Sequence, residues 1–295
     1  MTRSLNDSIM LRRGINKRII RALEDRILPW QKPWVGHGEG VGYPREVGTG
    51  KKFFGINFLL LQMAAREHGF TSSWWGTAKQ FELLGTRVRN RPDSVPLGNW
   101  STETILYKND IGNVITVSSI VYNTDQLGQS LIQYSPNPRI TPFYEQAERV
   151  LHSTGAKIKH NSDREAYYFY PPHDFITIPT KACFEAGWGG LPGYYESLAH
   201  ELLHWTETRL RVNTEFDESI RELRADIGAA MLVEELGVPH SISYSNFDKW
   251  YRQWISLMHE DENIIFRVCA SASRAVDYIL DSKELRFNQI NEYAA

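Results

Sequence analysis

Glu196-Ser-Leu-Ala-His200-Glu201-Leu-Leu-His204-Trp-Thr206 decides how the second half of this chain folds. It is made of helix formers, with neither Gly nor Pro between Tyr194 and Leu210, and so predicts a helix. Four residues is close to one helical turn, which stacks His200 and His204 on one face, where two imidazoles can reach a single cation. Glu201 sits one position round, beside the place that a cation's water would take. This HExxH arrangement is a zinc motif with the glutamate as general base, and average residue frequencies make a chance match in a chain of this length about a 1% event.

A tetrahedral catalytic zinc wants a third protein ligand and an open position for water. Residues 219–235 supply a second helix, running up to Gly237 and Pro239 and containing Glu222-Leu-Arg-Ala-Asp226, with Glu222 and Asp226 on one face. The spacing resembles the ExxxD of thermolysin-like gluzincins, which implies that Glu222 ligates the metal and Asp226 orients a ligating histidine through its second ring nitrogen. Glu218, one turn earlier, and Glu207, on the histidine helix, are the competing ligands. Ala225, Ala229 and Ala230 are small enough to let the two helices approach closely. The expected cation is Zn2+, with another divalent transition metal such as Mn2+ as the alternative. It would acidify a water, Glu201 would take the proton and return it to a leaving amine, and amide hydrolysis would follow. Tyr194, Tyr195, His240 and Tyr244 are candidate donors to the oxyanion.

The 295 residues exceed what one core usually organises and fit two domains. A 42% hydrophobic, 23% charged composition is that of a packed soluble protein. The chain has no apolar run long enough for a membrane span, and residues 1–17 have no signal-peptide core. Cys183 and Cys269, far apart and outside any CxxC spacing, predict neither disulfides nor a thiolate metal site and fit a reducing cytoplasm. Tyr134-Ser-Pro-Asn-Pro-Arg139 reads as a linker, since two prolines in three residues disfavour helix and rule out a central strand. It divides the chain into domains 1–135 and 136–295. The first holds 17 Lys and Arg against 11 Asp and Glu, the second 16 against 24, so only the first half suits a polyanionic partner. After the linker, residues 142–154 predict a helix, and residues 167–170 and 175–179 a hairpin.

The first half alternates aromatics with cations: Trp30, Lys32 and Trp34, then Lys51, Lys52, Phe53 and Asn57, then Trp74, Trp75, Lys79 and Gln80, then Arg87, Arg89 and Arg91. Single-stranded nucleic acid is held in this way, because cations follow phosphates while unpaired bases stack on aromatic faces at roughly 1–3 kcal/mol each. Burial of these tryptophans in an aromatic-rich core is the competing reading. Strands at 103–107 and 114–122, with helices at 18–26 and 57–67, predict a small mixed α/β domain.

Taken together, Pro29-Trp30 with Pro33-Trp34, Thr49-Gly50-Lys51, Gly55-Ile56-Asn57, Trp75 with Lys79-Gln80, Tyr122-Asn123 with Gln126, and the two helix motifs resemble the ArdC antirestriction family of conjugative plasmids, itself related to the N-terminal region of TraC-type plasmid primases. The resemblance covers most of the chain. It implies an α+β protein in which a single-stranded-DNA-binding domain precedes a zincin-like domain and which protects incoming plasmid DNA from host restriction. The alternative is a peptidase cleaving a specific host protein or peptide, with the basic domain recognising a protein partner.

Overall fold

The computed structural model describes residues 5–31, 42–90, 102–110, 113–128, 143–161, 166–187, 189–212, 216–241 and 245–293. The chain divides into two compact units, one of Met1–Pro138 with Met258–Ile265 and the other of Arg139–Leu257 with Phe266–Ala295. The 134–139 linker reading lies outside the described residues. Residues 258–265 were expected in the second half but belong to the first unit. There the Asn16 side chain donates to the Met258 carbonyl at 2.8 Å and Arg13 pairs with Glu262 at 2.8 Å.

The first unit opens with α1 (Leu5–Glu24), which buries Ile15, Ile19, Ile20 and Leu23 along one stripe. The helix begins well before the expected residue 18. After β1 (Arg45–Glu46), α2 (Ile56–His68) is buried at every residue from Ile56 to Ala65 and forms the unit's central rod. It stops at Gly69, whose left-handed φ of 67° turns its N–H back onto the Ala65 and Arg66 carbonyls. β2 (Trp74–Gly76), the short α3 (Ala78–Leu83), β3 (Thr102–Asp110) and β4 (Asn113–Asn123) follow. The sheet order is β1-β2-β4-β3, with β1 parallel to β2 and the rest antiparallel. Leu61, Ala64 and Ala65 of α2 pack on Trp75 and Val121 of this sheet.

Two small locks explain several residues that carried the family resemblance. Thr77 and Gln80 cap α3 reciprocally, the Gln80 amide oxygen accepting from the Thr77 N–H at 2.8 Å. Gln126 does the same for Asn123 at 2.8 Å, while the Asn123 side chain donates to the Ser72 carbonyl at 2.9 Å. The second lock ties the end of β4 to the entry of β2, and the first fixes the start of α3 just after β2.

The second unit begins with α4 (Phe143–Ser153) and a three-stranded sheet of β5 (Lys157–Asn161), β6 (Tyr167–Phe169) and β7 (Phe175–Pro179). The order is β5-β7-β6, with β6 and β7 the expected hairpin and β5 parallel to β7. Then come α5 (Lys181–Glu185), α6 (Gly190–Arg209), α7 (Glu218–Leu236), α8 (Ser245–Glu260) and α9 (Ile264–Tyr293). α7 starts where the Asp217 carboxylate accepts the Ile220 N–H at 2.9 Å, and ends at left-handed Gly237. α6 and α7 cross so tightly that a Cβ at Gly228 would lie 2.5 Å from Leu203 Cδ1. Beside that crossing the fully buried Arg224 donates to the Leu203 carbonyl at 2.9 Å, to Thr206 Oγ1 at 2.8 Å and to Ser271 Oγ at 2.9 Å. One α7 side chain thus binds α6 to α9 of the same unit. Trp254 of α8 donates to the Ser219 carbonyl at 3.0 Å and holds the first turn of α7. No helix among the described residues is long and apolar enough to cross a membrane.

Candidate metal centre

α6 presents His200, Glu201 and His204, each only 8% exposed. His200 Nε2 and His204 Nε2 are 3.1 Å apart. The Glu222 carboxylate reaches across from α7 to 3.5 Å from the first and 3.7 Å from the second. One donor atom from each of the three residues falls within 4.8 Å of the others. The outer ring nitrogens are also held, His200 Nδ1 by Asp226 Oδ1 at 3.1 Å and His204 Nδ1 by Glu207 Oε1 at 2.7 Å. With a carboxylate on each Nδ1, both imidazoles donate outward and turn their Nε2 lone pairs to a common point. Two such lone pairs and a carboxylate suit a divalent cation of zinc type.

Burial sets the electrostatics and the neighbours modify it. Burial favours a neutral Glu222, but the His200 hydrogen bond and the charges of both histidines outweigh it and bring its carboxyl down to about 2. Burial likewise disfavours a charged His200, against which Asp226 and Glu222 raise its pKa well above the ordinary value. Glu201 is raised, chiefly by burial, which makes it a better proton acceptor near neutral pH than a solvated glutamate. A backbone hydrogen bond from Tyr168 in β6 holds it.

Glu218 is exposed and stands apart from the donor cluster. Glu207, the other competing ligand, is fully buried but faces the outer nitrogen of His204. The oxyanion candidates have their polar ends engaged elsewhere: the Tyr194 hydroxyl on His160 at 3.2 Å, Tyr195 on Glu148 at 2.6 Å, and His240 on Glu234 at 3.0 Å. Tyr244 lies outside the described residues. Sequence reasoning missed Gly228 and Arg224, which set the helix crossing, although Arg224 stands inside the very Glu222–Asp226 motif that was read.

In the first unit several expected DNA contacts need correction. Trp30 and Trp75 are each 1% exposed, so no base can stack on them; Trp75 is core between α2 and β4. Asn57, 5% exposed, lies inside α2, and the Gln80 side chain is taken by its cap. Trp74 is half-buried against Val47, Phe81 and Leu127. Lys32, Trp34 and Arg91 lie outside the described residues. Lys51, Lys79, Arg87 and Arg89 are exposed, and Lys52 and Phe53 are half-buried. Residues 45–52 form a tight loop closed by an Arg45–Lys52 bridge, with left-handed Gly48 and Gly50 inside it. Beyond the loop Phe54, part of the same aromatic and cationic stretch though not among the expected contacts, is 47% exposed.

Residues 145–272 match the model of a zincin-like metallopeptidase family. The protein is therefore of two-domain α+β class, with a zincin-like domain built on α6 and α7 and a donor set that indicates a divalent metal. Residues 10–114 match the model of the N-terminal domain of anti-restriction factor ArdC. The chain thus joins an ArdC-type N-terminal domain to a zincin-like domain, in this order. The Mn(II)-bound crystal structure of the antirestriction protein ArdC from the R388 plasmid is similar, with a TM-score of 0.73, 27% identity and coverage of 92% of this chain and 98% of that one. Its metal-free form is similar at a TM-score of 0.71, with coverage of 93% and 98%. A DNA primase TraC of Escherichia coli is 29% identical over 90% of this chain, which spans 26% of the primase's length. Uncharacterized protein y4eC of Sinorhizobium fredii (strain NBRC 101917 / NGR234) is 22% identical over 90% of both chains.

Proposed function

We propose that this protein shields single-stranded plasmid DNA entering a new host, by means of its first unit, and that its second unit holds Zn2+ at His200, His204 and Glu222. The observation that carries the reading is that one chain, similar to R388 ArdC over 98% of that chain's length, joins an ArdC N-terminal domain to a complete donor set. The excess of cations in residues 1–135 supports a polyanionic partner. Lys51, Lys79, Arg87 and Arg89 follow phosphates, with Lys52 and Phe53 beside them, while Phe54 and the open part of Trp74 offer faces for unpaired bases. Relatives named as DNA primases contain a similar stretch within a longer chain, in keeping with a partner that is DNA. The two widely separated unpaired cysteines suit the reducing cytoplasm in which such a protein would work.

A divalent cation at the second site supplies Lewis acidity and makes water a stronger acid. Two imidazoles and one carboxylate favour zinc; Mn2+, present in one R388 structure, is the alternative. Glu201, buried and raised in pKa, accepts a proton from water and delivers it to the leaving amine. Asp226 keeps the His200 ring turned toward Glu222. The first prediction is a gel-shift comparison on the full chain, because residues 258–265 pack with the first unit and a fragment ending at 135 would lose them. A single strand should bind more tightly than duplex of the same length. Its affinity should fall with salt, the log–log slope shrinking by roughly 0.7 for each cation removed. Equal affinity for both forms would refute the reading.

A further inference from the structure

Glu207 ends the buried run of α6 and is 0% exposed. A carboxylate so enclosed needs each oxygen satisfied, since an unpaired buried charge costs several kcal/mol. Its Oε1 accepts from His204 Nδ1 at 2.7 Å, and its Oε2 accepts from the Tyr170 hydroxyl at 2.5 Å with the Arg221 guanidinium at 3.8 Å. Tyr170 directly follows β6, whose Tyr168 backbone also holds Glu201. Arg209, one half-turn beyond Glu207, pairs with Asp174 between the hairpin strands at 2.8 Å. The β6–β7 hairpin is thus fastened along α6 at Glu201, Glu207 and Arg209.

We propose that Glu207 and Tyr170 are positioning residues for the metal centre: Glu207 fixes the ring and tautomer of His204, and the Tyr170 hydroxyl fixes Glu207. This rests on the metal reading given above. The two histidines are then oriented by different parts of the fold. His200 takes its carboxylate from the neighbouring helix, at Asp226, so its aim depends on the α6–α7 crossing. His204 takes its carboxylate from its own helix, three residues on, and that carboxylate is locked by the hairpin. A hydrogen on Nδ1, donated to Glu207, leaves the Nε2 lone pair facing His200 Nε2 at 3.1 Å and Glu222 Oε1 at 3.7 Å. Removing the acceptor frees the ring to rotate and to carry its proton on either nitrogen. Removing only the hydroxyl leaves the acceptor in place but loose.

The test, the second prediction, is metal affinity of the full chain by competition with a chromophoric chelator, together with the visible spectrum of the Co2+ form and thermal unfolding of the chelated, metal-free form. The variants are Tyr170→Phe, Glu207→Gln and Glu207→Ala, with His200→Ala as the ligand control. Glu207→Ala should weaken metal binding about 10- to 100-fold and shift the Co2+ bands. Glu207→Gln, whose amide oxygen still accepts from Nδ1, should recover much of that loss. Tyr170→Phe should weaken binding roughly threefold to tenfold with the metal-free melting temperature nearly unchanged; it keeps the test open if Glu207→Ala does not fold. Wild-type protein that takes up no metal, or takes it up equally well as His200→Ala, would remove the metal reading itself. A wild type that binds through His200 while Tyr170→Phe and Glu207→Gln keep its affinity and spectrum would overturn the positioning role alone. Loss in Glu207→Gln as complete as in His200→Ala would put Glu207 on the metal and overturn it as well.

Discussion

The His240 imidazole is wedged between Glu234 at 3.0 Å and Glu196 at 3.4 Å, with 7% of its side chain exposed. Burial alone would drive it neutral, but the hydrogen bonds to Glu196 and Glu234 and their charges raise its pKa from 6.5 to about 9. The folded state therefore binds this proton more tightly than the unfolded chain does. The stabilisation is fully present below pH 6.5 and disappears as the pH rises to about 9, a difference on the order of 3 kcal/mol. The third prediction is that denaturant unfolding of the metal-free protein shows a wild-type advantage over His240→Gln at pH 6 that shrinks by pH 9.5. An advantage constant across that range would remove the charged triad. At this same scale the reading of tryptophans ran out. A tryptophan between cations in sequence suits a stacking platform and a core equally well, and only the packing of Trp75 against Leu61, Ala64 and Val121 separates them. The histidine motif escaped that ambiguity, because helical spacing alone puts both imidazoles on one face.

Between elements, the α6–α7 crossing governs the centre, since His200 and His204 stand on one helix and Glu222 and Asp226 on the other. Replacing a mid-helix glycine by alanine ordinarily stabilises by about 1 kcal/mol. At Gly228 the new methyl would meet the fully buried Leu203 at 2.5 Å, and overpacking of that kind costs about 1–3 kcal/mol. The fourth prediction is that Gly228→Ala lowers both the melting temperature and the metal affinity, and that adding Leu203→Ala restores part of the affinity by relieving the contact. A Gly228→Ala protein as stable and as tight for metal as wild type would show that the crossing has slack. Alanines at 225, 229 and 230 pointed to close approach, but the position of closest contact depends on the crossing geometry, which a single helix does not contain. Helix ends read unevenly for local reasons. Asp217 and Gly237 are strong caps and frame α7 within a residue of expectation. The early turns of α1 lay outside the expected helix because they leave Ile9 and Met10 exposed and only the later turns carry the buried stripe. α6 starts at Gly190 because a proline in the first helical turn, here Pro192, sacrifices no intrahelical bond.

For the whole molecule the question is which unit would carry the proposed protection. Covering a single strand needs cations and open aromatic faces; cutting a restriction enzyme would need a centre that recognises one host protein. The fifth prediction is made for plasmid transfer into restricting and non-restricting recipients, with expression and metal content of each variant checked. Glu201→Gln, which removes the base but no ligand, should keep both metal and protection. Charge reversal at Lys51 and Lys52 with Phe54→Ala should abolish protection, and Trp75→Ala is unsuitable because emptying that core site costs about 3–5 kcal/mol of stability. Loss of protection in a folded, metal-loaded Glu201→Gln, with the basic-surface variant still protecting, would assign the effect to the peptidase-type unit. The sequence by itself determined the histidine helix, the Glu222–Asp226 helix, the hairpin that precedes them and the uneven charge of the two halves, because helical period, caps and turn residues act over a few neighbouring positions. Only the tertiary structure decided that Glu207 meets the outer nitrogen of His204, that Trp30 and Trp75 are core, and that residues 258–265 join the first unit. Burial and partner choice arise from contacts between segments far apart in the chain, and no local pattern records them.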